Sequence, residues 1–200
     1  MTEQEPPAVV ILAAGASRRL GEPKALARLG PRPALAQLVE AAARVDPRPL
    51  VVTGAHARQI EAAGPWNADL LPNPDWQLGR TGGLARAAAL RAGRDLLVAP
   101  IDVPLVPPEV FAGLAEAWAE AGCPARGWLA PRHRERFGHP LVLGRELAAR
   151  LAALDPDAPL RELRSEARPL LSWDCPWRQV LDDLDTPADL ERLRGRIPLD

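Results

Sequence analysis

The segment Ala13-Ala14-Gly15-Ala16-Ser17-Arg18-Arg19-Leu20-Gly21-Glu22-Pro23-Lys24, which follows an apolar run, is where chemistry is most to be expected. Small residues let the backbone approach an anion, backbone N–H groups can point at phosphate oxygens, and Arg18, Arg19 and Lys24 supply charge. It reads as a phosphate cradle. It is not a Walker A loop, which needs GxxxxGK followed by Ser or Thr, because five residues separate Gly15 from Gly21 and Lys24 follows Gly21 by three. Nor does it contain GxGxxG. An ordinary strand-to-helix turn with solvated arginines is the competing reading. Of the 25 basic residues 24 are Arg, so Lys24 is the single lysine of an Arg-biased chain. A compact ammonium fits against a phosphate where a planar guanidinium clashes, a physical reason for the two not to interchange there.

Carboxylates that could face such a cradle are few. Asp102 follows the short apolar run Asp95 to Ala99 and precedes Pro104, where α/β folds bind ligands. The C-terminal LDDLDTPADL adds Asp183 and Asp185, two residues apart and so on one side of an extended segment. Mg2+ takes a few carboxylates together with phosphate oxygens and water, which one aspartate alone does not satisfy. The competing reading of Asp185-Thr186-Pro187 is a helix N-cap.

The elements that must hold these groups alternate along the chain. Ala8 to Ala13 is an uninterrupted apolar run, as expected of a strand buried on both faces. Further strands are expected at Pro49 to Thr53, Leu70 to Leu71, Asp95 to Ala99, Leu141 to Leu143, Leu170 to Trp173 and Val180 to Leu181. Helices are expected at Ala34 to Val45, Ala57 to Ala63, Gly82 to Gly93, Pro108 to Ala121, Arg145 to Ala153 and Pro187 to Gly195. Strands separated by helices imply an α/β fold with a mostly parallel sheet covered on both faces, and ligands beyond the carboxyl ends of its strands.

Composition narrows the class. Two hundred residues imply one domain over 1–200, and 47% hydrophobic with 26% charged residues is enough apolar surface to fold. A net charge of −1 gives no overall field for nucleic acid or an anionic membrane. The start is polar, and Ala8 to Ala14 is too short for a signal core or a bilayer span, so a cytoplasmic location is expected. Cys123 and Cys175 lack CxxC spacing and read as free thiols. His56 and His133 show no partner spacing.

LAAGASRRLGEPKALARLG resembles the LAAGxSxRMGxxK signature of nucleotidyltransferases that use a nucleoside triphosphate. NPDWQLGRTGGLARAAAL (Asn73 to Leu90), VAPIDVPLV (Val98 to Val106), FGHPLVL and DDLDTPADL resemble later segments of the same family, in the same order. As a set they are most similar to the molybdenum cofactor cytidylyltransferase branch. The resemblance implies a Rossmann-like three-layer nucleotidyltransferase fold that transfers CMP from CTP to a phosphate monoester, molybdopterin foremost, with Mg2+. It puts the triphosphate on Leu12, Ala13, Ala14, Gly15, Arg19 and Lys24, with Asn73, Gly79, Thr81 and Gly82 near the base or ribose. It puts the metal on Asp102 with Asp183 or Asp185, and His139 of the GHP element on the acceptor side. Lys24, Arg19 and Asp102 are the implied catalytic residues.

Several positions depart from the pattern. Leu20 replaces a Met, a volume-conserving change. Ile101 replaces the Gly before Asp102, and Thr81-Gly82-Gly83 stand where serines are common. Asp157 to Arg161 (DAPLR) stands in place of DxGAR, with Pro159 for the flexible Gly and the Arg displaced by one, which leaves the acceptor open. The alternatives are a sugar, alcohol or isoprenoid-precursor phosphate as acceptor, a GTP-using molybdenum cofactor guanylyltransferase, or a non-catalytic nucleotide-binding partner protein. Ala14 in LAAG, where the guanosine branch has LAGG, favours cytidine by resemblance.

Overall fold

A computed structural model describes residues 5–197. The first strand, β1, spans Ala8–Ala13, the bounds its apolar run implies. Alternation divides it between two cores: Val9 and Ile11 enter one, Ala8 and Val10 the other. A strand covered on both faces gains nothing from polar residues, which is why its sequence does not alternate in polarity.

After a 3-10 turn at Lys24–Leu26 come a small hairpin of β2 (Arg28–Leu29) and β3 (Arg32–Pro33), then α1 (Ala34–Ala42). Next are β4 (Leu50–Thr53), α2 (Ala57–Ala62), β5 (Asp69–Pro72), α3 (Arg80–Leu90) and β6 (Leu96–Pro100). Then follow α4 (Pro108–Glu120), β7 (Trp128–His133), β8 (Arg136–Phe137), β9 (Leu141–Leu143) and α5 (Arg145–Ala149). The described part ends with β10 (Leu170–Asp174) and α6 (Pro187–Arg194).

The main sheet runs β10-β7-β9-β6-β1-β4-β5, with β8 paired to β7. β1, β4, β5 and β6 are mutually parallel, β10 is parallel to β7, and β9 runs antiparallel between β6 and β7. One core joins the sheet to α1 and α4 through Leu35, Leu38, Phe111, Leu114 and Trp118. The other joins it to α3 and α5 through Leu84, Ala87 and Leu147. Trp118 is fully buried and its indole N–H donates to Asp95 Oδ2 at 2.9 Å, so both polar groups are satisfied inside the core.

Differences from the sequence reading are local. Val180 and Leu181, expected as a strand, lie in a 3-10 turn at Arg178–Leu181. The helix expected over Arg145 to Ala153 leaves α geometry after Ala149 and tightens into a 3-10 turn. β7 was not anticipated, because Pro131 interrupts the strand signal. Cys123 and Cys175 are free and buried. Among the described residues no helix is long and apolar enough to cross a membrane.

Candidate active site

β1, β4 and β6 end together, and the loops beyond their carboxyl ends build the site. Ser17, at φ 51°, organises the loop after β1. Its carbonyl accepts from the N–H groups of Leu20 and Gly21 at 3.1 Å, and its Oγ accepts from the Lys24 N–H at 3.1 Å. The lysine's backbone is thereby fastened to the loop it charges. From the β4 end, Ala55 N–H donates to the Ala14 carbonyl at 3.0 Å, and a Cβ on Gly54 would stand only 2.5 Å from that same oxygen. His56 Nε2 lies 3.1 Å from the Ala16 carbonyl. No motif surrounds His56, so no local pattern signals this contact. Among the described residues, its chain neighbours aside, nothing lies within 4 Å of where a Gly15 side chain would project, leaving room for a ligand against the loop.

Charge converges beside this loop. Lys24 Nζ donates to Asp102 Oδ1 at 2.7 Å and to Asp185 Oδ1 at 2.6 Å, with its side chain only 11% exposed. Arg19 reaches the same Asp185 oxygen at 3.0 Å. Asp102 is held through its backbone: Ile101 N–H donates to Leu12 O at 3.0 Å, and Leu184 N–H donates to Asp102 O at 2.7 Å. The second bond ties the C-terminal segment to the end of β6. The Lys24 hydrogen bond holds the Asp185 carboxyl below its usual range. Burial, then repulsion from Asp185 and Asp102, pushes neighbouring Asp183 up. Among the described residues no three ligating side chains are drawn together, but two carboxylates already meet on one cation, the ammonium. That donor set fits a hard divalent ion whose other ligands are phosphate oxygens and water.

Asp185 is free for this role because the cap is made by others. Thr186 is the N-cap of α6: its Oγ1 accepts from Asp189 N–H at 3.2 Å, and Asp189 Oδ2 accepts from Thr186 N–H at 3.0 Å. The Arg192 hydrogen bond, with those from Thr186, lowers Asp189 to about 2 from 3.8. A carboxyl lowered on folding contributes stability in full above its unfolded value and loses it as pH falls through the folded one, here from 3.8 to about 2. Thr186→Ala is expected to cost about 1 kcal/mol, measurable as a lower urea midpoint with unchanged m.

The cleft has two lobes. The smaller, about 210 Å³, is lined by Leu12 to Gly15, Lys24 and His56 among others. The larger, about 840 Å³, has Trp128, Ala130 and Leu141 in its wall, with Phe137, His139 and Asp183. Leu12, Arg19, Arg80, Pro100, Asp102 and Asp185 line both. His139 donates its backbone N–H to Val180 O at 3.0 Å, while its buried Nδ1 has no hydrogen-bond partner among the described residues. Burial pushes its pKa down, so the ring is neutral at pH 7. Arg80 and Trp128 were not singled out as site residues by the sequence.

Asn73, Gly79, Thr81 and Gly82 line neither lobe. Asn73 is buried, its Oδ1 accepting from Asp75 N–H at 3.3 Å. Thr81 and Gly82 hydrogen-bond to the loop at Pro156 and Ala158, and Gly79 packs on that loop.

Parallel strands whose carboxyl ends meet a small-residue loop and a cluster of charges give the architecture of nucleotide-binding α/β proteins. Within that class, the family of the MobA-like NTP transferase domain matches residues 9–170, and the chain belongs to that family. Over 107 residues it is 38% identical to a molybdenum cofactor guanylyltransferase of Xanthomonas euvesicatoria. That match covers 53% of this chain and 52% of the relative, so the chain spans about half the length of the curated relative it matches. The crystal structure of Rv0371c from Mycobacterium tuberculosis is similar at TM-score 0.78 and 25% identity, covering 98% of this chain and 100% of that one. Rv0371c has also been solved in complex with manganese. Molybdopterin-guanine dinucleotide biosynthesis protein A from Archaeoglobus fulgidus shares the fold at TM-score 0.73 and 21% identity, covering 94% and 97%. The Rossmann-like nucleotidyltransferase fold implied by the sequence is the fold observed.

Proposed function

We propose that this NTP transferase, acting as one domain, moves CMP from CTP to the phosphate of a monoester acceptor, molybdopterin foremost, and releases pyrophosphate. The observation that carries the reading is the meeting of Lys24, Asp102 and Asp185 where a small, phosphate-loop-lined lobe opens into a large one. In this reading the nucleotide's phosphates lie on Ala13 to Gly15 in the small lobe and the acceptor fills the large one. An acceptor phosphate oxygen attacks the α-phosphorus in line; that P–O bond forms as the bond to the bridging oxygen of pyrophosphate breaks. Lys24 and Arg19 neutralise the charge that collects on pyrophosphate. His139, in the wall of the large lobe, stands on the acceptor side. Asp102 and Asp185, with Asp183 beside them, would hold Mg2+, which supplies Lewis-acid charge to phosphate oxygens when bound.

Two observations bear on the base. Ala14 in LAAG supports CTP, whereas the 38% identical relative is a guanylyltransferase by name and supports GTP. Pyrophosphate release is to be measured with molybdopterin and each nucleotide in competition. A higher kcat/KM for CTP is expected; a GTP preference moves the chain to the guanylyl reading. Release with other phosphate monoesters alone replaces the acceptor, and binding without release with any of them leaves a non-catalytic nucleotide-binding protein.

A further inference from the structure

The two stretches that depart most from the family pattern, Thr81-Gly82-Gly83 and Asp157 to Arg161, are far apart in sequence yet meet through α3 and the loop at Pro156. Thr81 and Gly82 N–H groups both donate to Pro156 O, at 3.1 and 3.2 Å, and the Thr81 hydroxyl donates to Ala158 O at 2.6 Å. Gly79, at φ 136°, lies so close to Pro156 and Asp157 that no side chain fits there. The first turn of α3 thus gives donors that helices leave free to the loop at the wall of the large lobe.

Beyond this latch the chain enters a 3-10 helix, Leu160–Ser165, anchored by fully buried Leu163. Its Arg161 and Arg164 line the large lobe and not the small one. Among the described residues neither guanidinium is engaged in an ion pair, unlike Arg19, which pairs with Asp185 in the same cleft. Arg164 lies 5.1 Å from the centroid of the Phe137 ring, whose 50% exposure at the rim this stacking helps to explain. A stacked guanidinium is oriented before binding, keeps its N–H edge free, and matches carboxylate or phosphate geometry.

We propose that Arg161 and Arg164 read a second negative group on the acceptor, apart from its attacking phosphate, and that Thr81 is the positioning residue that holds their segment to the lobe. The acceptor class is then a phosphate monoester with an apolar or planar body against Trp128 and a further anionic group. The proposal rests on the large lobe being the acceptor side.

The test varies molybdopterin and nucleotide independently for wild type, Thr81→Val, Thr81→Ser and the double variant Arg161→Gln/Arg164→Gln, with melting temperatures alongside. Thr81→Val and the double variant are expected to raise the acceptor KM about tenfold with nucleotide KM unchanged, the scale of a lost charge-assisted contact or its misplacement. Thr81→Ser, which keeps the hydroxyl, restores the wild-type value. An acceptor KM unchanged in the double variant, or a nucleotide KM that rises equally, overturns the proposal. Should wild type turn over no molybdopterin, the functional reading fails by itself, and the inference is decided by calorimetric titration of inorganic phosphate into the CTP-bound protein. Binding to wild type that the double variant loses supports it; equal binding, or none in either, overturns it.

Discussion

Lys24→Arg is expected to lower kcat/KM on the order of a hundredfold, the scale of losing one preorganised charge-stabilising donor, while the melting temperature hardly moves. The variant keeps the charge, so the loss would come from shape. Two carboxylate oxygens at 2.7 and 2.6 Å enclose a single ammonium whose side chain is 11% exposed. A guanidinium brings a longer, planar fork into that space and can meet both oxygens only by moving Asp102 or Asp185. Lys24→Met separates the explanations, because it removes the charge without bringing in a fork. If charge alone matters, Arg restores what Met loses; if the fit matters, both fall. Initial rates of pyrophosphate release with paired thermal melts decide it, and an Arg variant at wild-type kcat/KM refutes the argument from shape.

What the sequence disclosed and what it hid divide along physical lines. β1, β4 and β6 were legible because strands buried on both faces leave continuous apolar runs. The groups that follow β1 and β6 were legible for the same reason, since ligands lie beyond the carboxyl ends of such strands. Lys24 was conspicuous through composition, and its two partners are among the aspartates the spacing offered. Local pattern could not reveal that β9 runs antiparallel between β6 and β7, because hydrophobic periodicity carries no direction. Nor could it show that Thr81 bonds to the carbonyl of Ala158, a contact between the first turn of α3 and a loop distant in sequence, which leaves no periodic signature. The cap is intermediate: D-T-P announces a helix start, but only the geometry shows Thr186 and Asp189 sharing the cap while Asp185 turns to Lys24.

Asp102→Asn is expected to lose activity by two to three orders of magnitude, roughly the range for removing a charge-stabilising contact, and to keep its fold. The structure separates the two roles of this residue. Its structural bond is made by the backbone carbonyl, which accepts from Leu184 N–H at 2.7 Å and is untouched by the substitution. Its side chain makes the 2.7 Å contact to Lys24, and in the proposed reaction it holds Mg2+. An amide is nearly isosteric but carries no charge, so it weakens both the ammonium's position and the affinity of a hard cation. The midpoint of a Mg2+ titration of the initial rate is therefore expected to rise, and kcat at saturating Mg2+ to stay low. A purely structural aspartate behaves in the opposite way: the melting temperature falls and the Mg2+ midpoint stays. Leu184 provides the control, because weakening its packing loosens the C-terminal segment without removing charge from the site. Loss of rate in Asp102→Asn with an unchanged Mg2+ midpoint and an unchanged melt assigns the carboxylate to Lys24 alone, and full activity removes it from the site altogether.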